Sequence, residues 1–111
     1  MIIVIVENDP FVRIDIVETL RANFAQSKIS SVATLHQVQK VAADILIADA
    51  ELNQKALVSW LSQGATIIFT GPGKTDTADA EFDGIVRLQR PFSQDMLLHA
   101  VRRAMARQGS G

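Results

Sequence analysis

Asp44-Ile-Leu-Ile-Ala-Asp49 is an apolar run of strand length with a carboxylate at each end. Because it lacks polar alternation, neither face of such a strand meets water, the condition of a parallel strand covered by helices on both sides. A chain with that strand at its centre is confined to α/β architecture. In open α/β sheets, ligands and chemistry gather outside the carboxyl ends of the strands. Asp49 emerges at that end and becomes the centre of the functional reading.

At 111 residues the chain is one domain, long enough for a real core. A hydrophobic share of 48% with 21% charged residues is that of an ordinary globular protein, and 11 basic against 12 acidic residues leave a net charge of -1. Bulk attraction to nucleic acid is unsupported. Cysteine is absent, which excludes disulfides, thiolate nucleophiles and the common zinc sites and is compatible with a reducing cytoplasm. The opening Ile2-Ile-Val-Ile-Val6 is too short for a membrane span and has no basic stretch before it, so it reads as a buried strand. His36 and His99 read as surface or boundary residues.

After this first strand, Asn8 or Asp9 can cap a helix whose first turn tolerates Pro10. Phe11, Ile14, Val17 and Phe24 recur at helical spacing, with Arg13, Glu18 and Arg21 on the other face, so the helix should run to about Ala25. A second strand spans 29–32. Thr34 caps a short helix carrying Leu35, Val38 and Val41, and the central strand follows. Leu57, Val58, Trp60 and Leu61 make another short helix, closed by Gly64. Strands over 65–69 and 84–88 flank a turn-rich stretch, Thr70-Gly-Pro-Gly73, and a polar segment from Lys74 to Asp83. Ser93 caps a last helix defined by Leu97, Ala100, Val101, Ala104 and Met105. Residues 1–107 form the domain, and 108–111 have the composition of a flexible tail.

Five strands alternating with helices imply right-handed crossovers and a single doubly wound parallel sheet, flavodoxin-like, in the order 2-1-3-4-5. That order makes strands one and three neighbours. Glu7, Asn8 and Asp49 then gather at one edge, with Thr70 and Arg90 arriving from strands four and five.

With these residues in place, the chain resembles a response-regulator receiver domain of bacterial two-component signalling over residues 2 to about 107. The resemblance rests on Glu7-Asn-Asp-Pro10 after strand one, Asp49 after strand three, Thr70-Gly71 after strand four, and a basic residue before Pro91-Phe92. It implies that Asp49 accepts a phosphoryl group from a phosphohistidine on a kinase, with magnesium at Glu7, Asn8 and Asp49, and with Thr70 and Arg90 on the phosphoryl oxygens. The chemistry is consistent: phosphoryl transfer needs positioning and charge neutralisation, and a hard cation wants carboxylate oxygens.

Departures from the family pattern bear directly on that chemistry. Asn8 stands where receivers usually carry a metal-ligand aspartate, removing one of three negative charges and weakening magnesium binding. Arg90 replaces a nearly invariant lysine, and its planar guanidinium can grip Asp49 in a standing ion pair. Arg87 falls where an aromatic switch residue is usual, and the chain has no tyrosine. The stretch from Asp49 to Thr70 is shorter than in the family, and Asn53 takes the place of a proline. These changes describe an atypical receiver that keeps the fold and alters the switch.

Gly71-Pro-Gly-Lys-Thr75 resembles a phosphate-binding loop but lacks the glycine five residues before the Gly-Lys pair, where Ile68 stands. Arg102, Arg103 and Arg107 suit the negative end of a helix and need no nucleic acid to explain them. Trp60 reads as packing. The function expected is a cytoplasmic, non-enzymatic single-domain receiver acting mainly as a protein-interaction module, with weak or absent phosphorylation. The alternative is a phosphorylatable receiver relaying a phosphoryl group from a histidine kinase through Asp49. A metal-dependent hydrolase with Asp49 as nucleophile lacks a general base and a substrate-binding insertion. Expected partners are a histidine kinase or phosphotransfer protein and a downstream signalling protein, not nucleic acid or membrane, with the chain a monomer or weak homodimer.

Overall fold

Apolar segments too short to fold alone find their partners in parallel. In the computed structural model, which describes residues 1–34, 43–48, 59–70, 85–88 and 92–109, five strands join one sheet: β1 (Ile2–Val6), β2 (Lys28–Val32), β3 (Ile45–Ala48), β4 (Thr66–Phe69) and β5 (Ile85–Arg87). Their order is β2-β1-β3-β4-β5 and every pairing is parallel, as the sequence predicts. Among the described residues two long helices accompany them, α1 (Pro10–Asn23) and α2 (Gln94–Gly109). Among the described residues no helix is long and apolar enough to cross a membrane.

All four residues of β3 are buried. Its pleat sends Ile45 and Ile47 into a core shared with Ile3, Ile5, Ile16, Leu20 and Val101, while Leu46 and Ala48 join Val4, Val6, Trp60 and Ile67 in a second cluster. Burying an isoleucine or leucine contributes about 2 kcal/mol, so the run that lacked alternation anchors both layers.

Asp9, rather than Asn8, caps α1: its carboxylate accepts from the amides of Phe11 at 2.9 Å and Val12 at 3.4 Å, with Pro10 in the first turn. The helix ends at Asn23, with the Phe24 amide donating to the Leu20 carbonyl at 2.7 Å. Its buried face departs from expectation. Phe11 is 83% exposed and Ile14 53% exposed, whereas Ile16, Thr19 and Leu20 are buried and Val12, Val17 and Phe24 pack beside them. Apolar residues surround this helix on nearly every side, so periodicity alone leaves its rotation open, and docking on the sheet sets it.

Trp60 is buried, in helical residues 59–62 that end in a Schellman motif. The Ala65 amide donates to the Trp60 carbonyl at 3.2 Å and the Gly64 amide to that of Leu61 at 3.0 Å, with Gly64 at φ 89°. α2 buries Leu97, Ala100, Val101 and Ala104, as its spacing predicts, and Ser93 Oγ accepts from the Met96 amide at 3.1 Å. It continues to Gly109, past the boundary expected after Arg107. Gln108 Nε2 donates to the Gly64 carbonyl and to Thr66 Oγ1, each at 2.8 Å. The short helix after Thr34, Leu57 and Val58, the turn from Gly71, the segment 74–83 and His36 lie outside the described residues.

Candidate functional site

One rung of the sheet register locates the carboxyl edge. Val6 pairs with Ala48, Ala48 with Phe69, and Phe69 with Arg87. The residues that follow this rung in the sequence are Glu7, Asp49, Thr70 and Leu88. The ladder runs one step further, with the Glu7 amide donating to the Val32 carbonyl at 3.1 Å, Thr70 to Ala48 at 2.8 Å and Leu88 to Phe69 at 3.0 Å. Glu7 and Thr70 are therefore held by sheet geometry as well as by their side chains.

Glu7 is only 2% exposed. Its carboxylate accepts from the Asp9 amide at 3.0 Å, and its carbonyl accepts from Arg13 Nη1 at 2.9 Å. A buried carboxylate needs such donors, because an unsatisfied charge away from water is costly. Arg13 reads as a solvent-facing residue from spacing alone, yet it is half-buried and bonded at the site's edge. No sequence signal announces a bond from a helix residue back to the strand end six positions earlier.

Asn8 follows at an exposed bend, and the adjacent Asp9 carboxylate is committed to the first turn of α1. Thr70 is buried, and its hydroxyl donates to the carbonyl of Ala48, the residue before Asp49, at 3.2 Å. The structure thus brings Glu7 and Thr70 to one edge, with Asn8 at its rim. Asp49, Asn53, Arg90 and Pro91 lie outside the described residues.

Solved structures of other proteins share this fold. A response regulator receiver protein from Sinorhizobium medicae superposes with a TM-score of 0.78 at 15% identity, covering 97% of this chain and 96% of that one. The fold is that of response-regulator receivers. The chemotaxis response regulator CheY4 of Vibrio cholerae gives 0.68 at 19% identity, over 93% of this chain and 97% of that one. SdrG from Sphingomonas melonis gives 0.63 at 23% identity, over 96% and 93%. No protein-family model matches the chain, and no curated protein does. At these identities the shared property is the receiver fold, and function has to be argued from the site.

The site's described donors fit magnesium poorly. A hard divalent cation takes six or so oxygen ligands and favours carboxylates. Here Glu7 is the one carboxylate at the strand end among the described residues, beside a neutral asparagine, and it already accepts an amide.

Proposed function

We propose that this receiver-fold chain is a single-domain protein-interaction module of bacterial two-component signalling in the cytoplasm. It is non-enzymatic, and Asp49 is weakly phosphorylated or not at all. The observation that carries the reading is the first strand end: one buried carboxylate at Glu7, committed to the Asp9 amide, followed by exposed and uncharged Asn8. Two unit charges about 4 Å apart at an effective dielectric near 20 interact by roughly 4 kcal/mol, so one missing carboxylate withdraws at most roughly 8 kcal/mol from a divalent cation before desolvation offsets it.

Partners on this reading are proteins: a histidine kinase or phosphotransfer protein, and a downstream signalling protein. Exposed Phe11 and Ile14 support such contact, because they place two large apolar side chains on α1 one turn from the site's edge. Glu7, Asn8 and Asp49 would hold any magnesium, weakly, and it would supply charge neutralisation at the acceptor. Thr70 and Arg90 would serve phosphoryl oxygens. The chain acts as a monomer or weak homodimer.

The second reading keeps Asp49 as a working phosphoacceptor in a relay. It is favoured by Thr70, a buried hydroxyl at the end of β4 where a phosphoryl oxygen would be received. Incubation with acetyl phosphate and magnesium, followed by intact mass measurement on the wild type and Asp49→Ala, separates the two. The interaction-module reading expects little or no mass increase of one phosphoryl group. Stoichiometric labelling lost in Asp49→Ala would establish the second reading.

A further inference from the structure

Arg13 is a half-buried cation at the strand end. Its Nη1 donates to the Glu7 carbonyl at 2.9 Å, a bond that reaches from α1 back to the residue six positions earlier. The acceptor is the main-chain oxygen and not the Glu7 carboxylate, which takes the Asp9 amide at 3.0 Å. The Asp9 carboxylate, one turn before Arg13, accepts from the amides of Phe11 and Val12 instead. Among the described residues no carboxylate pairs with Arg13. A guanidinium keeps its charge in a protein and carries a fork of N–H donors, of which the Glu7 carbonyl engages one nitrogen. Partial burial leaves such a charge less screened than one on the open surface. α1 therefore brings a fixed positive charge to the edge where Asn8 brings no negative one.

We infer that Arg13 is the built-in cation of the strand end: it disfavours magnesium beside Glu7 and gives its remaining donors to a phosphate-type oxyanion with no metal present. The inference rests on the reading of this edge as the functional site, and it adds a positive charge to the missing carboxylate as a cause of the poor metal fit. Like charge raises the cost of bringing in a cation, and magnesium carries a double charge. An oxyanion meets the opposite field, and the planar fork can face two of its oxygens at once. The bond to the Glu7 carbonyl restricts the long side chain before any ligand arrives, so less rotamer freedom is lost on binding.

The test uses the full chain labelled with nitrogen-15, titrated separately with magnesium chloride and with sodium phosphate in EDTA, against sodium chloride as the ionic-strength control. In the wild type, phosphate should shift the Arg13 Nε–H resonance and the amides of Asn8 and Asp9. Arg13→Gln keeps an amide donor and removes the charge, and it should tighten magnesium and weaken phosphate, each about fivefold, the scale of one partly screened unit charge. Arg13→Lys keeps the charge and should hold both affinities within about twofold of the wild type. A residue that only braced the fold would move both ligands the same way. Phosphate shifts in the wild type centred away from Arg13, affinities unchanged in Arg13→Gln, or both ligands weakened together would overturn the proposal. The wild-type titration reads the outcome even where a variant fails to fold. Acetyl phosphate labelling of the wild type decides the interaction-module reading separately. Unchanged affinities in Arg13→Gln without labelling would remove the role of Arg13 and leave that reading standing, whereas stoichiometric labelling with opposed shifts in affinity would do the reverse.

Discussion

The Thr70 hydroxyl and the Thr70 amide both donate to a single oxygen, the carbonyl of Ala48, at 3.2 and 2.8 Å. This joins the ends of β3 and β4 immediately before Asp49. A hydroxyl engaged in this way must turn away from Ala48 before it can donate to anything beyond the strand end. Thr70→Val, which keeps the shape, should lower unfolding free energy by about 1 kcal/mol, and Thr70→Ser should recover most of the loss. Urea denaturation measures both. An unchanged midpoint in Thr70→Val would mean that the amide alone satisfies Ala48.

Asn8 is exposed beside buried Glu7, so a carboxylate placed there reaches solvent and the strand end together. Asn8→Asp should tighten magnesium at least about fivefold, well inside the Coulomb ceiling for one added charge. Titration calorimetry on the two proteins checks it. Equal affinities would show that the missing charge is not what limits the site.

Much of the fold is legible in the sequence because its signals are local and redundant. The unbroken run Ile45–Ala48 specifies a strand buried on both faces, Gly64 takes the positive φ that closes a helix, and α2 shows its buried stripe at regular spacing. The rotation of α1 is not legible, because Phe11, Val12, Ile14, Ile16 and Val17 offer more apolar faces than one side of a sheet can cover. At the site, Glu7 and Thr70 could be read from strand ends alone. The bonds that tie Asp9 and Arg13 to Glu7 could not, since they depend on how the chain turns into α1. Asp49 and Arg90 stay expectations, outside the described residues.

By composition Gln108 groups with the tail, because small polar residues after a helix bury little, yet its amide bridges the Gly64 carbonyl and Thr66 Oγ1. The bridge ties the end of α2 to the turn that feeds β4. Gln108→Ala should lower the melting temperature by about 4 °C, the shift expected for roughly 1 kcal/mol in a domain of this size. Truncation after Arg107 should lower it at least as much. Calorimetric melts of the three proteins check this, and an unchanged midpoint on truncation would restore the boundary at Arg107.

Arg90 follows Arg87, the last residue of β5, by three positions in the sequence, and β5 ends on the edge from which Glu7 and Thr70 leave the sheet. If its guanidinium engages Asp49, it supplies the positive charge that Asn8 cannot help a metal bring, and it does so with two donors in one plane. Lysine in the same place is a point charge on a flexible stem and holds a carboxylate less firmly. Arg90→Lys should therefore raise both magnesium affinity and labelling of Asp49 by acetyl phosphate, by severalfold over the wild type. Arg90→Ala should leave the carboxylate poorly compensated and, if that pair is partly buried, lower the urea midpoint, because removing one partner of a buried pair costs more than the pair contributes. Intact mass after a fixed exposure, and calorimetry on the same three proteins, decide the matter. Labelling that stays at the wild-type level in Arg90→Lys, with no change in midpoint for Arg90→Ala, would place the guanidinium away from Asp49 and return the weak acceptor to Asn8 alone.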